Sequence, residues 1–421
     1  MSGRGRPERL FCCFMPTIAV LGTFDTKGQE HAFVAELLRC RGFETLLVDV
    51  GCLDHPLLPP DVTAAEVAAA SGEDWRTVFA RRDRGECVAL MARAAPVFLA
   101  GAVAAGRIQG VISLGGGGGT AIATAAMRAL PVGFPKVMVT TLASGDTAPY
   151  VGTKDVVLFP AVVDVSGLNR VSRVIFENAA GAIAGMVEAA EARRRDPEPE
   201  RPLVVASMFG NTTVCVNKAK EHLESAGFEV LVFHATGTGG RAMESLIETG
   251  LVSGVLDVTT TEWADELAGG ILTAGPGRLE AAGRQRVPTI VTPGCLDMVN
   301  FGEPKSVPAK YAKRQFYFHN PQVTLMRTTP TECHKLGAIL ASKVNAYQGP
   351  VSVLLPLRAV SIISAKGQSF YDPKADAALF DAIRADLDKR IPLIEMDVLI
   401  NEPVFAEACA KELLRLMQQP A

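Results

Sequence analysis

From Pro16 onward, short continuous apolar runs alternate with longer stretches whose apolar positions recur at helical spacing. Thr17–Leu21 reads as a buried strand, Gly28–Arg41 as a helix, and Glu44–Val50 as a second strand. A polar segment with Pro56, Pro59 and Pro60 leads into Ala-rich helical segments around Ala64–Ala70 and Glu86–Ala105. Strand Gly110–Leu114 runs into five glycines, helix Thr120–Leu130 follows, and strand Lys136–Thr141 comes next. A long helix, Asn169–Arg194, ends this half. Strands and helices that alternate in this way predict an α/β fold with a parallel sheet.

The charged, proline-containing stretch Arg193–Pro202 (RRRDPEPERP) has the composition of a linker. Beyond it the pattern starts again. Pro202–Ser207 matches Pro16–Leu21, and SAGFEVLVFHA at 225–235 is the counterpart of CRGFETLLVDV at 40–50. ETGLVSGVLDVTTTEW at 248–263 echoes AAGRIQGVISLGGGGG at 104–119, and VPTIVTPGCLDMV at 287–299 lines up with FPKVMVTTLASGD at 134–146. Matched segments in the same order predict a duplication: two Rossmann-like parallel-sheet subdomains with a cleft between them. The predicted boundaries are 16–195 and 203–421, joined by a linker at 196–202. A tail of strand Val351–Pro356, helix Pro373–Leu387, strand Pro392–Leu399 and helix Val404–Met417 belongs to the second half.

Composition narrows the function classes. With 48% apolar and 21% charged residues, the 421-residue chain is neither disordered nor a coiled coil. Its net charge is −3, no basic run exceeds Arg193–Arg195, and aromatics are 6%, so no nucleic-acid partner is expected. Nine scattered cysteines without a Cys-x-x-Cys pair fit a reduced, cytoplasmic protein. No apolar run reaches the roughly 18–20 residues needed to span a bilayer, so no membrane association is expected. Residues 1–15 are expected to be a disordered or non-native extension, with Met1 and Met15 both possible natural starts.

Ligands of parallel α/β sheets collect at the carboxyl ends of the strands, and unusual residues recur there. The first such loop is Gly22-Thr23-Phe24-Asp25-Thr26-Lys27-Gly28. Its backbone N–H groups and the following helix dipole can face an anion. Lys27 adds positive charge, Thr23 and Thr26 add hydroxyls, and Asp25 can hold a metal ion through water. The loop is not a Walker A motif, and a plain turn capped by Asp25 or Thr26 is the equal alternative. Asp49 ends the second strand, where a carboxylate either accepts from ribose hydroxyls or simply starts the turn before Gly51. Five consecutive glycines (Gly115, Gly116, Gly117, Gly118, Gly119) before Thr120 cost backbone entropy. Close approach of phosphates to bare backbone is the natural reason for them. The loop 140–146 is small and hydroxyl-rich, with Thr141, Ser144, Gly145 and Asp146.

The second half offers His234 in a Gly/Thr loop, Glu262 at the pentaglycine's position, and Cys295 and Asp297 after the next strand. These four are the candidate catalytic groups. For His234 a structural role weighs equally, and for Cys295 a buried thiol weighs more, since no base is local to it. His319 and Arg314 lie in a polar stretch, Lys310–Asn320, that reads as a surface loop over the cleft.

Together GTFDTKGQE (22–30), SLGGGGGT (113–120), the 140–146 loop, MFGNTT (208–213), FHATGTGG (233–240) and TPGCLDMVNFG (292–302) resemble the UPF0261 family, the Tm-1-like ATP-binding group. The resemblance spans Pro16 to Met417. It implies two Rossmann-like subdomains, ATP binding with Mg²⁺, and a homodimer. From the loops themselves, the phosphates are expected on Gly115–Thr120 and Gly22–Gly28, ribose on Asp49, and Mg²⁺ through Asp25 or Asp146. Two alternatives stay open: an enzyme acting on a small phosphorylated or carboxylated metabolite in the cleft, and an ATP-gated protein-interaction module without turnover.

Overall fold

The computed structural model describes residues 15–53, 55–196 and 200–418. The expected extension before Met15, and residues 197–199 of the expected linker, lie outside the described residues. The chain divides into two compact units, residues 1–198 and 199–421.

In chain order the first unit comprises β1 (Thr17–Gly22), α1 (Phe24–Cys40), β2 (Glu44–Asp49), α2 (Ala64–Ala69), α3 (Trp75–Arg81) and α4 (Arg84–Ala104). It continues with β3 (Gly110–Gly115), α5 (Gly117–Arg128), β4 (Lys136–Thr140), α6 (Ala148–Val151), β5 (Val157–Pro160) and α7 (Arg170–Arg195). Its five strands form one parallel sheet in the order β2-β1-β3-β4-β5. Strand β1 is apolar at every position from Ile18 to Leu21 because both of its faces are covered. Ala19 and Leu21 pack with Leu90 and Met91 of α4 and Ile122 of α5. Ile18 and Val20 pack with Val34 and Leu38 of α1 and Phe176 and Ile183 of α7.

Three local expectations are corrected. Helix α1 begins at Phe24 and not at Gly28, with a break at Lys27 (φ −132°, ψ 30°), so most of the expected loop is a first helical turn. Helix α5 begins at Gly117 and not at Thr120. Helix α4, with 21 residues, is long and apolar enough by composition to cross a membrane. Arg93 and Glu86 break its apolar run in the sequence, which hides that length. In the fold its Cys87, Leu90, Met91, Ala94 and Leu99 are core residues, and Arg93 pairs with Glu73 at 2.6 Å.

The second unit comprises β6 (Leu203–Met208), α8 (Thr213–Ser225), β7 (Glu229–His234), α9 (Thr238–Ile247), β8 (Val252–Thr259), α10 (Glu262–Ala268) and α11 (Ala281–Arg284). Then come β9 (Thr289–Gly294), β10 (Met298–Phe301), β11 (Phe316–Asn320), β12 (Val323–Arg327), α12 (Pro330–Asn345), β13 (Val351–Pro356), α13 (Pro373–Asp386), β14 (Leu393–Met396) and α14 (Pro403–Met417). Six strands form a parallel sheet in the order β14-β13-β9-β8-β6-β7. The order β7-β6-β8-β9 repeats β2-β1-β3-β4 of the first unit. Helices α8 and α14 cover one face through Cys215, Val216, Phe405 and Leu413. Helices α12 and α13 help build the other core, through Leu336, Leu340, Leu379 and Ile383. A small antiparallel sheet, β10-β12-β11, is inserted after β9. The stretch expected to be a surface loop therefore contains a strand. Arg314, just before β11, is clamped to Glu332 at 2.6 Å and to the Arg327 carbonyl, while His319 is exposed on β11.

Candidate functional site

In the strand order β2-β1-β3-β4-β5 the connections diverge between β1 and β3, which makes a crevice at the strand carboxyl ends. A cavity of about 260 Å³ lies there. Its walls are the turn after β1, the segment 50–53 after β2, and Gly116–Gly119 after β3. Gly116 is the N-cap of α5, and the first N–H groups of a helix have no intrahelical acceptor. The positive end of the helix dipole adds to them. A Cβ placed on Gly117 would meet nothing within 4 Å, so this glycine faces open space. One on Gly118 would lie 3.3 Å from Val88 and 3.9 Å from Nη2 of Arg84, which also lines the cavity.

Thr23, Asp25, Thr26 and Lys27 all line this cavity. The two threonine hydroxyls are 3.0 Å apart. Lys27 Nζ donates to the Val165 carbonyl. Asp25 Oδ2 accepts from the Leu53 N–H at 3.1 Å, and its Oδ1 is buried without a hydrogen-bond partner among the described residues. Among the described residues no group of three or more His, Cys, Asp or Glu side chains is placed to hold a metal ion.

Other expected contacts are used elsewhere. Asp49 does not line the cavity. Its Oδ1 accepts from the N–H groups of Phe24 (3.0 Å) and Gly51 (2.8 Å), so it braces the turns, and burial pushes its carboxyl up to about 6. Thr120 is fully buried and shares a 2.7 Å hydrogen bond with the Thr140 hydroxyl. Gly115 packs against Gly119, a Cβ there coming within 3.2 Å of the Gly119 Cα. Gly145 closes a turn onto Leu142. Asp146 is exposed and accepts from the Ala148 N–H at 3.1 Å, outside the cavity lined by Asp25.

Gly22 answers to a residue that the sequence reading passed over. His31 is fully buried on α1, and a Cβ on Gly22 would fall 2.0 Å from its Nε2. Its Nδ1 donates to the Lys27 carbonyl at 2.7 Å, while Nε2 accepts from the Leu114 N–H at 3.4 Å. Burial lowers the imidazole to about 4, so it is neutral. His31 thus ties the break in α1 to the end of β3, and those are two walls of the cavity. Arg84, Cys52, Cys87 and Asp164 also line it. None of them stands in a motif, so no sequence signal marked them.

Asp164 also lines a second cavity, of about 460 Å³, formed by the loops after β4 and β5. Thr141 and Ser144 are in its wall, so of the expected 140–146 contacts these two face a cavity.

Of the four catalytic candidates of the second unit, three are buried and one, His234, is exposed. Glu262 is buried; its Oε1 accepts from the N–H groups of Gly237 (2.7 Å) and Gly240 (3.1 Å), and its Oε2 accepts from Arg278 Nε (2.6 Å). Arg278, itself buried, also makes a bidentate pair with Asp257 (2.6 Å) and reaches Glu244 (3.1 Å). The Cys295 thiol is fully buried, and burial raises its pKa well above the usual range. Asp297 is fully buried, accepts from the Ser361 hydroxyl at 2.8 Å, and has its carboxyl raised by burial. His234 is exposed at the end of β7, edge-on to Phe209.

These features define a two-unit, Rossmann-like α/β protein whose first sheet opens a glycine-walled cavity at its switch point. The chain belongs to the UPF0261 family. The model described as "Uncharacterised protein family (UPF0261) N-terminal domain" matches residues 16–192, and that of the C-terminal domain matches 201–417. A UPF0261 protein of Clostridium tetani is 47% identical over 403 residues, covering 96% of this chain and 99% of that protein. The ToMV resistance protein Tm-1(GCR237) of Solanum lycopersicum is 39% identical over 424 residues, covering 95% of this chain but 56% of the tomato protein. The Streptomyces sp. SF2575 glycosyltransferase SsfS6 is 13% identical, covering 95% of this chain and 96% of that chain with a TM-score of 0.21.

Proposed function

We propose that the first unit binds ATP with Mg²⁺, its phosphates resting on the free N–H groups of Gly117–Gly119. The observation that carries this reading is the cavity at the switch point, walled by four bare glycines that cap a helix. Arg84 and Lys27 supply positive charge at its edge, the Lys27 ammonium exchanging its carbonyl partner for a phosphate oxygen. Magnesium is commonly held by one or two carboxylates together with phosphate and water. The unpartnered Oδ1 of Asp25 fits that role without a larger acidic cluster. The described cysteines are all free thiols, which supports a reducing, cytoplasmic setting.

Calorimetric titration of the full chain with Mg·ATP tests the reading. Stoichiometric binding is expected. Gly117→Val, whose side chain would enter open space, is expected to weaken it by about tenfold or more, or about 1.4 kcal/mol, while circular dichroism stays unchanged. No binding heat, or an unaltered Kd in Gly117→Val, rejects it.

A further inference from the structure

The second cavity of the first unit is lined by none of the glycines proposed to hold phosphates, and its chemistry is different. Its side-chain polar lining consists of hydroxyls and one carboxylate, and among the described residues no Lys, Arg or His lines it. Thr140 is already committed to Thr120 and to the Leu142 N–H. Among the described residues the side chains of Thr141, Ser144 and Asp164 make no hydrogen bond or ion pair, so all three are available to a ligand. An anionic guest would find no counter-charge there and one repelling carboxylate. A neutral, hydroxyl-bearing guest would find two hydroxyl partners and an acceptor, beside the small apolar residues Ala143 and Ala161.

The two cavities adjoin at two points. Asp164 lines both. The Thr141 hydroxyl oxygen lies 3.8 Å from where a Cβ of Gly116 would stand, so it borders the cap of α5. The loop that carries Asp164 is also held in an unusual conformation, since Val162, β-branched and exposed, has φ 63°. Such positions persist only where the surrounding structure fixes them.

Resting on the nucleotide reading above, we propose that this protein is an ATP-dependent kinase of a small uncharged polyol or sugar. The acceptor is seated between residues 140–144 and 160–164. Its hydroxyl oxygen attacks the γ-phosphorus, and the bond from that phosphorus to the β–γ bridging oxygen breaks. ADP leaves with that electron pair, and the hydroxyl proton passes to the Asp164 carboxylate. Thr141 and Ser144 orient the acceptor.

The test uses the full chain with Mg·ATP and, in separate reactions, glycerol, erythritol, ribose and glucose, followed by phosphorus NMR. At least one acceptor is expected to give a phosphomonoester and ADP in equal amounts, with ADP release about tenfold or more above the acceptor-free rate. Asp164→Asn should lower the acceptor-dependent kcat by about 100-fold or more. Ser144→Phe, which fills the cavity, should raise the acceptor KM without affecting nucleotide binding. The proposal is overturned if Mg·ATP binds but none of the four acceptors, nor Asp164→Asn, changes ADP release. It is overturned equally if inorganic phosphate is the sole new product. Failure of Mg·ATP to bind at all removes the nucleotide reading, and this assignment falls with it.

Discussion

The two units place glycines beside helix N-termini at corresponding sheet edges and then satisfy those helices differently. In the second unit the N–H groups of Gly237 and Gly240, at the start of α9, hold the Glu262 carboxylate, which Arg278 neutralises from its other side. An anion is bound there, and it is part of the chain. Among the described residues of the first unit no side chain takes that place: Gly116–Gly119 face a cavity, and the nearby Asp25 keeps one carboxylate oxygen without a partner among those residues. The same helix-terminus electrostatics accompany a structural clamp in one unit and a cavity of about 260 Å³ in the other. Glycine-rich strand ends therefore do not mark a ligand site by themselves. What distinguishes the two is whether a buried carboxylate of the chain already reaches the N–H groups.

This contrast can be broken or sharpened by substitution. The largest effect is expected in the second unit. Arg278→Ala leaves Asp257, Glu262 and Glu244 without their shared cation, and should cost that unit about 3–5 kcal/mol in denaturant unfolding with little change in nucleotide affinity at the first.

Next comes the pH response of the first unit, where His31 and Asp49 oppose each other. His31 titrates at about 4 in the fold against 6.5 in the open chain, so its contribution is complete above pH 6.5 and is lost as pH falls toward 4. Asp49 is raised from 3.8 to about 6, so the fold takes up its proton first and gains stability as pH falls from 6 to 3.8. The two nearly cancel in the native chain. Asp49→Asn should expose the His31 dependence, a loss of about 3 kcal/mol between pH 6.5 and 4. Chemical-shift titration of the His31 ring should return a midpoint near 4; a midpoint near 6.5 would dissolve its role as a neutral strut.

Smaller still is the glycine pair. Gly240→Ala puts a methyl 2.2 Å from Glu262 Oε2 and should destabilise by about 2 kcal/mol. Gly117→Ala meets no atom within 4 Å and should change stability by less than about 1 kcal/mol, measurably weakening only nucleotide binding. Equal effects on stability from the two would erase the contrast.

Much of the architecture was legible in the sequence, because strands covered on both faces must be apolar at every position, as Ile18–Leu21 are. The repeated strand order was legible for the same reason in both halves. The β10-β12-β11 sheet was not: its strands have four or five residues, and exposed polar positions in β11 gave it the look of a loop. Helix α5 begins three residues early because a run of glycines carries no helical signal, although it can form a first turn whose N–H groups need no helical acceptor. Within the site, Asp25, Lys27 and the glycines stood out in the sequence. Asp164 and Arg84 did not, since they reach the cavity from elements far along the chain with no spacing to announce them. Asp49 and Glu262 were visible as carboxylates at strand ends, but whether each faces a ligand or a backbone N–H is decided by tertiary packing.

The claim that the first unit leaves its helix terminus open for phosphate is tested most directly by a crystal structure of the full chain with Mg²⁺ and a non-hydrolysable ATP analogue. The account predicts phosphate oxygens about 3 Å from the N–H groups of Gly117–Gly119, with the metal beside Asp25. A nucleotide seated elsewhere, or a Gly116–Gly119 wall that stays bare at saturating analogue, would contradict it.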